Sequence, residues 1–127
     1  MSKTAAQQSL FALDVLSGKT SDFYKSTEQQ LLKSIITALN YHGRAFRLNV
    51  IGSYTKDGRF VPPSLPRGTS DILFVRNGMA YFLEVKTATG KASPKQLAFI
   101  EDIQRVGATA GIVRSVDEAY KLVSISS

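Results

Sequence analysis

Residues 70–86 read SDILFVRNGMAYFLEVK, and the arrangement of the rest of the chain follows from them. Two β-rich runs flank Asn77-Gly78, the pair best suited to a two-residue type I′ hairpin turn, because both central residues of that turn take φ > 0. With those two residues as the loop, Arg76 pairs with Met79, Leu73 stands opposite Phe82, and Asp71 stands opposite Glu84. Side chains alternate across a strand, so Asp71, Leu73, Phe82, Glu84 and Lys86 share one face. Ile72, Phe74, Tyr81, Leu83 and Val85 make the other face apolar, as expected of an interior sheet with a site at one end.

Directly opposed residues on antiparallel strands have Cβ atoms roughly 4.5–5.5 Å apart, and like charges there repel. Asp71 and Glu84 therefore need a cation. Lys86, two residues beyond Glu84 on the same face, neutralises the pair in part; a bound divalent ion would do so more completely. On spacing alone a solvated Asp/Glu/Lys face remains an open alternative.

Outward from the hairpin, residues 62–68 (PPSLPRG) cannot sit in a central strand, since proline donates no ladder hydrogen bond, and they form a loop leading into Asp71. Before them, Lys56-Asp57-Gly58-Arg59 is a turn. Residues 44–51 alternate, with Phe46, Leu48 and Val50 on one face and Arg47, Asn49 and Ile51 on the other, the pattern of a half-buried strand. Ser26 or Thr27 is placed to cap a helix, with Gln29 and Gln30 three residues beyond, and Leu32, Ile35 and Leu39 form its core stripe up to Gly43. Glu28 falls on that stripe, where an early acidic residue favours the helix N-terminus. Residues 7–16 are a short amphipathic piece with Leu10, Leu13 and Leu16 on one face, an N-terminal arm over residues 1–22 ahead of a domain at 23–127.

On the other side of the hairpin, Ser93 and Pro94 open a helix as N-cap and N1, and Gln96 at N3 completes a capping box. Leu97, Ile100, Ile103 and Val106 are spaced to pack it on the sheet. Residues 109–113 are a buried strand that pairs parallel to the 79–86 strand, the helix forming the crossover. Ser115 with Glu118 caps a last helix through Val123. The order is αβββαβα, an α/β domain with a mixed sheet flanked by helices.

At 127 residues and 43% hydrophobic content the chain fits one domain with a modest core. It has no cysteine, which excludes disulfides and thiolate metal sites and is consistent with a reducing compartment. No apolar run reaches membrane-spanning length and the N-terminus lacks a signal-peptide pattern, so a cytoplasmic location with no membrane partner is expected. The net charge of +6, spread without single-sign runs, favours a polyanionic partner through steering and counterion release.

Asp71 followed by Glu84-Val85-Lys86 at the end of the next strand resembles the bipartite motif of the PD-(D/E)XK nuclease superfamily. Gly68-Thr69-Ser70-Asp71 before it and Ser93-Pro94-Lys95-Gln96 after it resemble, more narrowly, the VRR-Nuc family of stand-alone phage-like or bacterial type. Ser70 stands where the superfamily name has proline. The resemblance spans residues 27–123. It implies a restriction-endonuclease-like αβββαβ core and a Mg²⁺-dependent nuclease, with Mn²⁺ as a substitute, cutting DNA, including branched DNA of junction or flap type. Asp71, Glu84, the Val85 carbonyl and Glu28 from the first helix are then the implied metal ligands, and Lys86 holds or activates the attacking water. The resemblance also turns Gln96 toward the site, although one amide cannot serve both a cap and a distant carboxylate. Arg47, Lys56, Arg59 and Arg67 become candidates to hold phosphates, against the plainer reading of solvated surface residues. Cutting both strands with one site per chain implies a homodimer, with the leucine stripe of the arm as something to bury. Two other readings stay open: a noncatalytic nucleic-acid-binding module that keeps the fold, and an RNA-directed nuclease.

Overall fold

In a computed structural model, which describes residues 20–48 and 52–126, the order is helix α1 (Thr20–Leu39), strand β1 (Arg44–Arg47), short strands β2 (Ser53–Tyr54) and β3 (Phe60–Val61), strands β4 (Ile72–Arg76) and β5 (Met79–Val85), helix α2 (Pro94–Arg105), strand β6 (Thr109–Val113) and helix α3 (Val116–Leu122). The main sheet runs β1-β4-β5-β6; β6 is parallel to β5 and the other pairs are antiparallel. β2 and β3 pair only with each other.

The β4–β5 hairpin closes as Asn77-Gly78 requires. Their φ angles are 52° and 76°, and Arg76 stands opposite Met79 with Leu73 opposite Phe82. That register sends Ile72, Phe74, Tyr81, Leu83 and Val85 to one face. There they meet Leu32, Ile35 and Leu39 of α1 and Ala119 and Val123 of α3 in the main core. Each large apolar side chain removed from water here contributes roughly 1.5–3 kcal/mol before entropy is counted. α2 covers the opposite face over β5 and β6, with Phe99 edge-on to Phe82 at 5.6 Å between ring centroids. The β5–α2–β6 crossover between parallel strands thus sets the N-terminus of α2 beside the end of β5.

Several boundaries differ from the sequence reading. α1 begins by Thr20, so Ser26 and Thr27 are interior helical residues rather than caps, and the division expected at residues 22 and 23 falls inside this helix. The amphipathic piece at residues 7–16 lies outside the described residues. On β1 it is Ala45 that faces the core, while Phe46 is 41% exposed. The reason is the position of β1 at the sheet edge, where α2 does not reach. On α2, Ile100 is buried but Leu97 and Val106 are exposed. Among the described residues no helix is long and apolar enough to cross a membrane.

Candidate active site

The register places Asp71 immediately before β4 and across from Glu84 near the end of β5. The Asp71 carbonyl accepts from the Leu48 amide at 2.7 Å, extending the β1–β4 ladder by one step. Its side chain is anchored as well: Oδ2 accepts from the Val85 amide at 2.8 Å. The two carboxylates are therefore held together by backbone pairing rather than by any mutual attraction.

Glu84 is 1% exposed. Its Oε1 accepts from Gln96 Nε2 and lies 3.6 Å from Lys86 Nζ, whose side chain is 16% exposed. Its Oε2 is buried and has no hydrogen-bond partner. Burial above all, and then the neighbouring Asp71 charge, push the Glu84 pKa from 4.5 up to about 8, with Lys86 opposing the rise. Among the described residues Lys86 is the one cation that ion-pairs within this cluster. Ser70 Oγ, next to Asp71 in the chain, is a second buried polar atom without a partner. A native fold rarely leaves such groups unmet, so these two atoms beside a charged pair single the cluster out as a candidate site.

Gln96 serves two partners. Its Oε1 accepts from the Ser93 amide at 2.8 Å, and Ser93 Oγ accepts from the Gln96 amide at 3.2 Å, which is the expected capping box. Its Nε2 donates to Glu84. The conflict foreseen between the two roles does not arise, because the crossover brings the cap and Glu84 to opposite ends of a single amide.

Gly68 lets the approach loop fit against this helix start. It has φ of +87°, and a Cβ there would fall 2.3 Å from the Lys95 carbonyl oxygen, so a side chain is barred by both conformation and space. Thr69 closes the loop locally: its Oγ1 and its amide both donate to the Pro66 carbonyl, at 2.6 and 3.2 Å. The loop, Asp71 and the first turn of α2 thereby act as one support.

Arg114 has no part in the sequence reading. From the end of β6 its guanidinium donates to the Thr87 carbonyl and, at 2.7 Å, to the Gly90 carbonyl. It staples the turn that follows Lys86, while the Lys86 amide donates to the Val113 carbonyl at 3.1 Å. Both partners of Arg114 are backbone oxygens, so no residue pattern announces the contact.

Among the described residues none of the remaining candidates forms an ion pair with Asp71 or Glu84. Glu28 is exposed on α1, and among the described residues no three acidic, histidine or cysteine side chains gather where a metal could sit, so Glu28 is not part of the Asp71–Glu84 cluster. Arg47, Lys56, Arg59 and Arg67 are all exposed along the segment joining β1 to β4. Arg59 pairs with Asp57 at 3.1 Å in the β2–β3 turn, where the Thr55 hydroxyl in particular holds the Asp57 carboxyl below its ordinary pKa. His42 lies edge-on to Tyr120, with 5.2 Å between ring centroids.

A mixed sheet between helices, with an Asp and a Glu-x-Lys opposed at the ends of adjacent strands, is the restriction-endonuclease-like fold of the PD-(D/E)XK nucleases. Among solved structures 11 chains match. One, described as a VRR_NUC domain, is 25% identical with a TM-score of 0.56, the match covering 77% of this chain and 95% of that one. That match supports the resemblance to the VRR-Nuc family seen in the sequence motifs. No protein-family model and no curated protein matches the sequence. The structural match supports a nuclease-type fold for this chain.

Proposed function

We propose that the protein is a divalent-metal-dependent nuclease that hydrolyses DNA phosphodiester bonds, with a preference for branched DNA of junction or flap type. The observation that carries this reading is Glu84: a carboxylate buried against a second carboxylate, with one oxygen left without a partner. Lys86 at 3.6 Å offsets part of that charge. An all-oxygen donor set fits a hard cation such as Mg²⁺, or Mn²⁺ in its place, whose charge would favour the ionised form of Glu84. Asp71, Glu84 and the Val85 carbonyl would hold it, and once bound it would supply an acidified water and charge stabilisation at the phosphate.

The chain's own groups account for the rest. The Val85 amide fixes the Asp71 carboxylate, and Gln96 fixes that of Glu84. Lys86 presents an ammonium at the edge of the pair, where it orients the attacking water and offsets negative charge as the phosphate is attacked. Arg114 holds the turn behind Lys86. Arg47, Lys56, Arg59 and Arg67 supply phosphate contacts along the segment that leads to Asp71.

Labelled duplex, flap, single-stranded and four-way-junction DNAs, incubated with Mg²⁺ or Mn²⁺ and with chelator, test the proposal. Cleavage that needs the ion and favours a branched substrate is expected. Binding without cleavage would replace the enzyme by a noncatalytic binding module, and cleavage of RNA in preference to DNA would reassign the substrate.

We propose further that the working form is a homodimer, because one carboxylate site per chain cuts one strand at a time and two-fold pairing places two sites on a duplex. Light scattering at micromolar concentration is expected to give twice the chain mass. A mass of one chain throughout would remove the dimer.

A further inference from the structure

The segment between β1 and β4 leaves the main sheet and returns at Asp71. Leu48 marks the departure and its amide bonds the Asp71 carbonyl at 2.7 Å, so both roots of the excursion lie beside the carboxylates. The β2–β3 hairpin forms within it, closed by the Thr55 amide on the Arg59 carbonyl at 2.8 Å and the Gly58 amide on the Thr55 carbonyl at 3.0 Å.

Tyr54 and Phe60 stand opposite each other on this hairpin, ring centroids 5.4 Å apart and planes tilted by 58°. They are nonetheless 74% and 57% exposed, and neither joins the core. The backbone beneath is shaped for one of them: a Cβ at Gly52 would fall 2.5 Å from the Phe60 ring, so the ring lies against bare main chain. Neighbouring aromatics that stay exposed outside the core are available as an interaction surface. The connecting turn carries Lys56 and Arg59, both exposed, with Arg59 paired to Asp57 at 3.1 Å. Aromatic faces beside basic side chains suit unpaired nucleotides, whose bases stack while their phosphates are neutralised. A paired duplex offers no free base faces to such a surface.

We propose that Tyr54 and Phe60 form a stacking platform for unpaired bases, by which the protein selects DNA carrying a single-stranded segment next to the cleaved strand. The inference rests on the nuclease reading for the identity of the nucleic acid and deepens it by naming the feature that is recognised. Leu48 and Tyr54 are separated by at most about 21 Å of extended chain.

Fluorescence anisotropy of the full chain in chelator, with a labelled thymidine oligonucleotide, a gapped duplex and an intact duplex, tests the platform without any cleavage. Tyr54→Ala and Phe60→Ala are each expected to weaken binding of the oligonucleotide and the gapped duplex by about five- to a hundredfold, with the intact duplex little changed. Tyr54→Phe and Phe60→Tyr keep the rings and are expected to bind as the parent does. Alanine variants that bind every DNA as tightly as the parent, or that lose intact duplex and single strand in equal measure, would overturn the proposal. A uridine oligoribonucleotide that binds more tightly than its DNA counterpart would overturn the DNA assignment. Absence of cleavage on every substrate, with the aromatic-dependent preference intact, would remove the nuclease reading and leave the platform standing.

Discussion

Lys86→Ala is expected to lower the rate of DNA cleavage by at least about a hundredfold, the usual scale when one preorganised charge at a reacting phosphate or carbonyl is removed. The side chain is 16% exposed at the end of β5, so its loss opens no hole in the apolar core. Among the described residues its one ion pair is with Glu84, at 3.6 Å. Removing it leaves both carboxylates and the Val85 carbonyl in place, so divalent-ion binding followed by calorimetry should persist while turnover disappears. Lys86→Arg keeps the charge but spreads it over a planar group with fixed donors, and partial activity is expected. A Lys86→Ala protein that cuts at the parental rate would remove Lys86 from the chemistry.

The β4–β5 hairpin was legible to the residue. Asn77-Gly78 admits one turn type, that turn admits one register, and the register puts Asp71 across from Glu84 with the apolar set on the other face. The capping box of α2 was legible for a similar reason, since Ser93, Pro94 and Gln96 occupy positions whose preferences are local. The parallel pairing of β6 followed from a helix standing between two buried strands.

What escaped depends on contacts that sequence spacing does not encode. Whether Gln96 could serve both cap and carboxylate turned on where the crossover sets the start of α2 relative to β5, a tertiary matter. Arg114 reaches main-chain oxygens, and any loop presents those. The exposed face of β1 reflects which strands α2 happens to cover; alternation showed that Phe46 and Ala45 face opposite ways but not which way is inward. The early start of α1 shows the weakness of a cap signal taken alone, because Ser26 and Thr27 stand inside the helix that runs from Thr20. The Tyr54–Phe60 pair lies in strands of two residues each, too short for periodicity to register.

Removing the charge of Glu84 is expected to stabilise the metal-free protein in alkaline solution. The folded chain raises the Glu84 pKa from 4.5 to about 8, chiefly by burial and then by the Asp71 charge, so it holds the Glu84 proton more tightly than the unfolded chain does. The stability this proton confers is present in full below about pH 4.5 and is lost as the pH rises through about 8. Across that window the loss is on the order of a few kcal/mol, enough to lower the Tm of a domain of this size by on the order of 10 °C. Glu84→Gln cannot ionise and keeps an oxygen to accept from Gln96, so in chelator its Tm should exceed the parent's at pH 8.5 and converge with it toward pH 5. Adding Mg²⁺ or Mn²⁺ supplies the missing positive charge; at a hundred times the dissociation constant it should return about 2.7 kcal/mol to the parent protein and much less to Glu84→Gln. Melting curves of both proteins from pH 4.5 to 8.5, with and without the ion, carry the test. If the two proteins keep the same Tm difference at every pH, the buried carboxylate is not the group under strain, and the case for a cation at this site loses its physical basis.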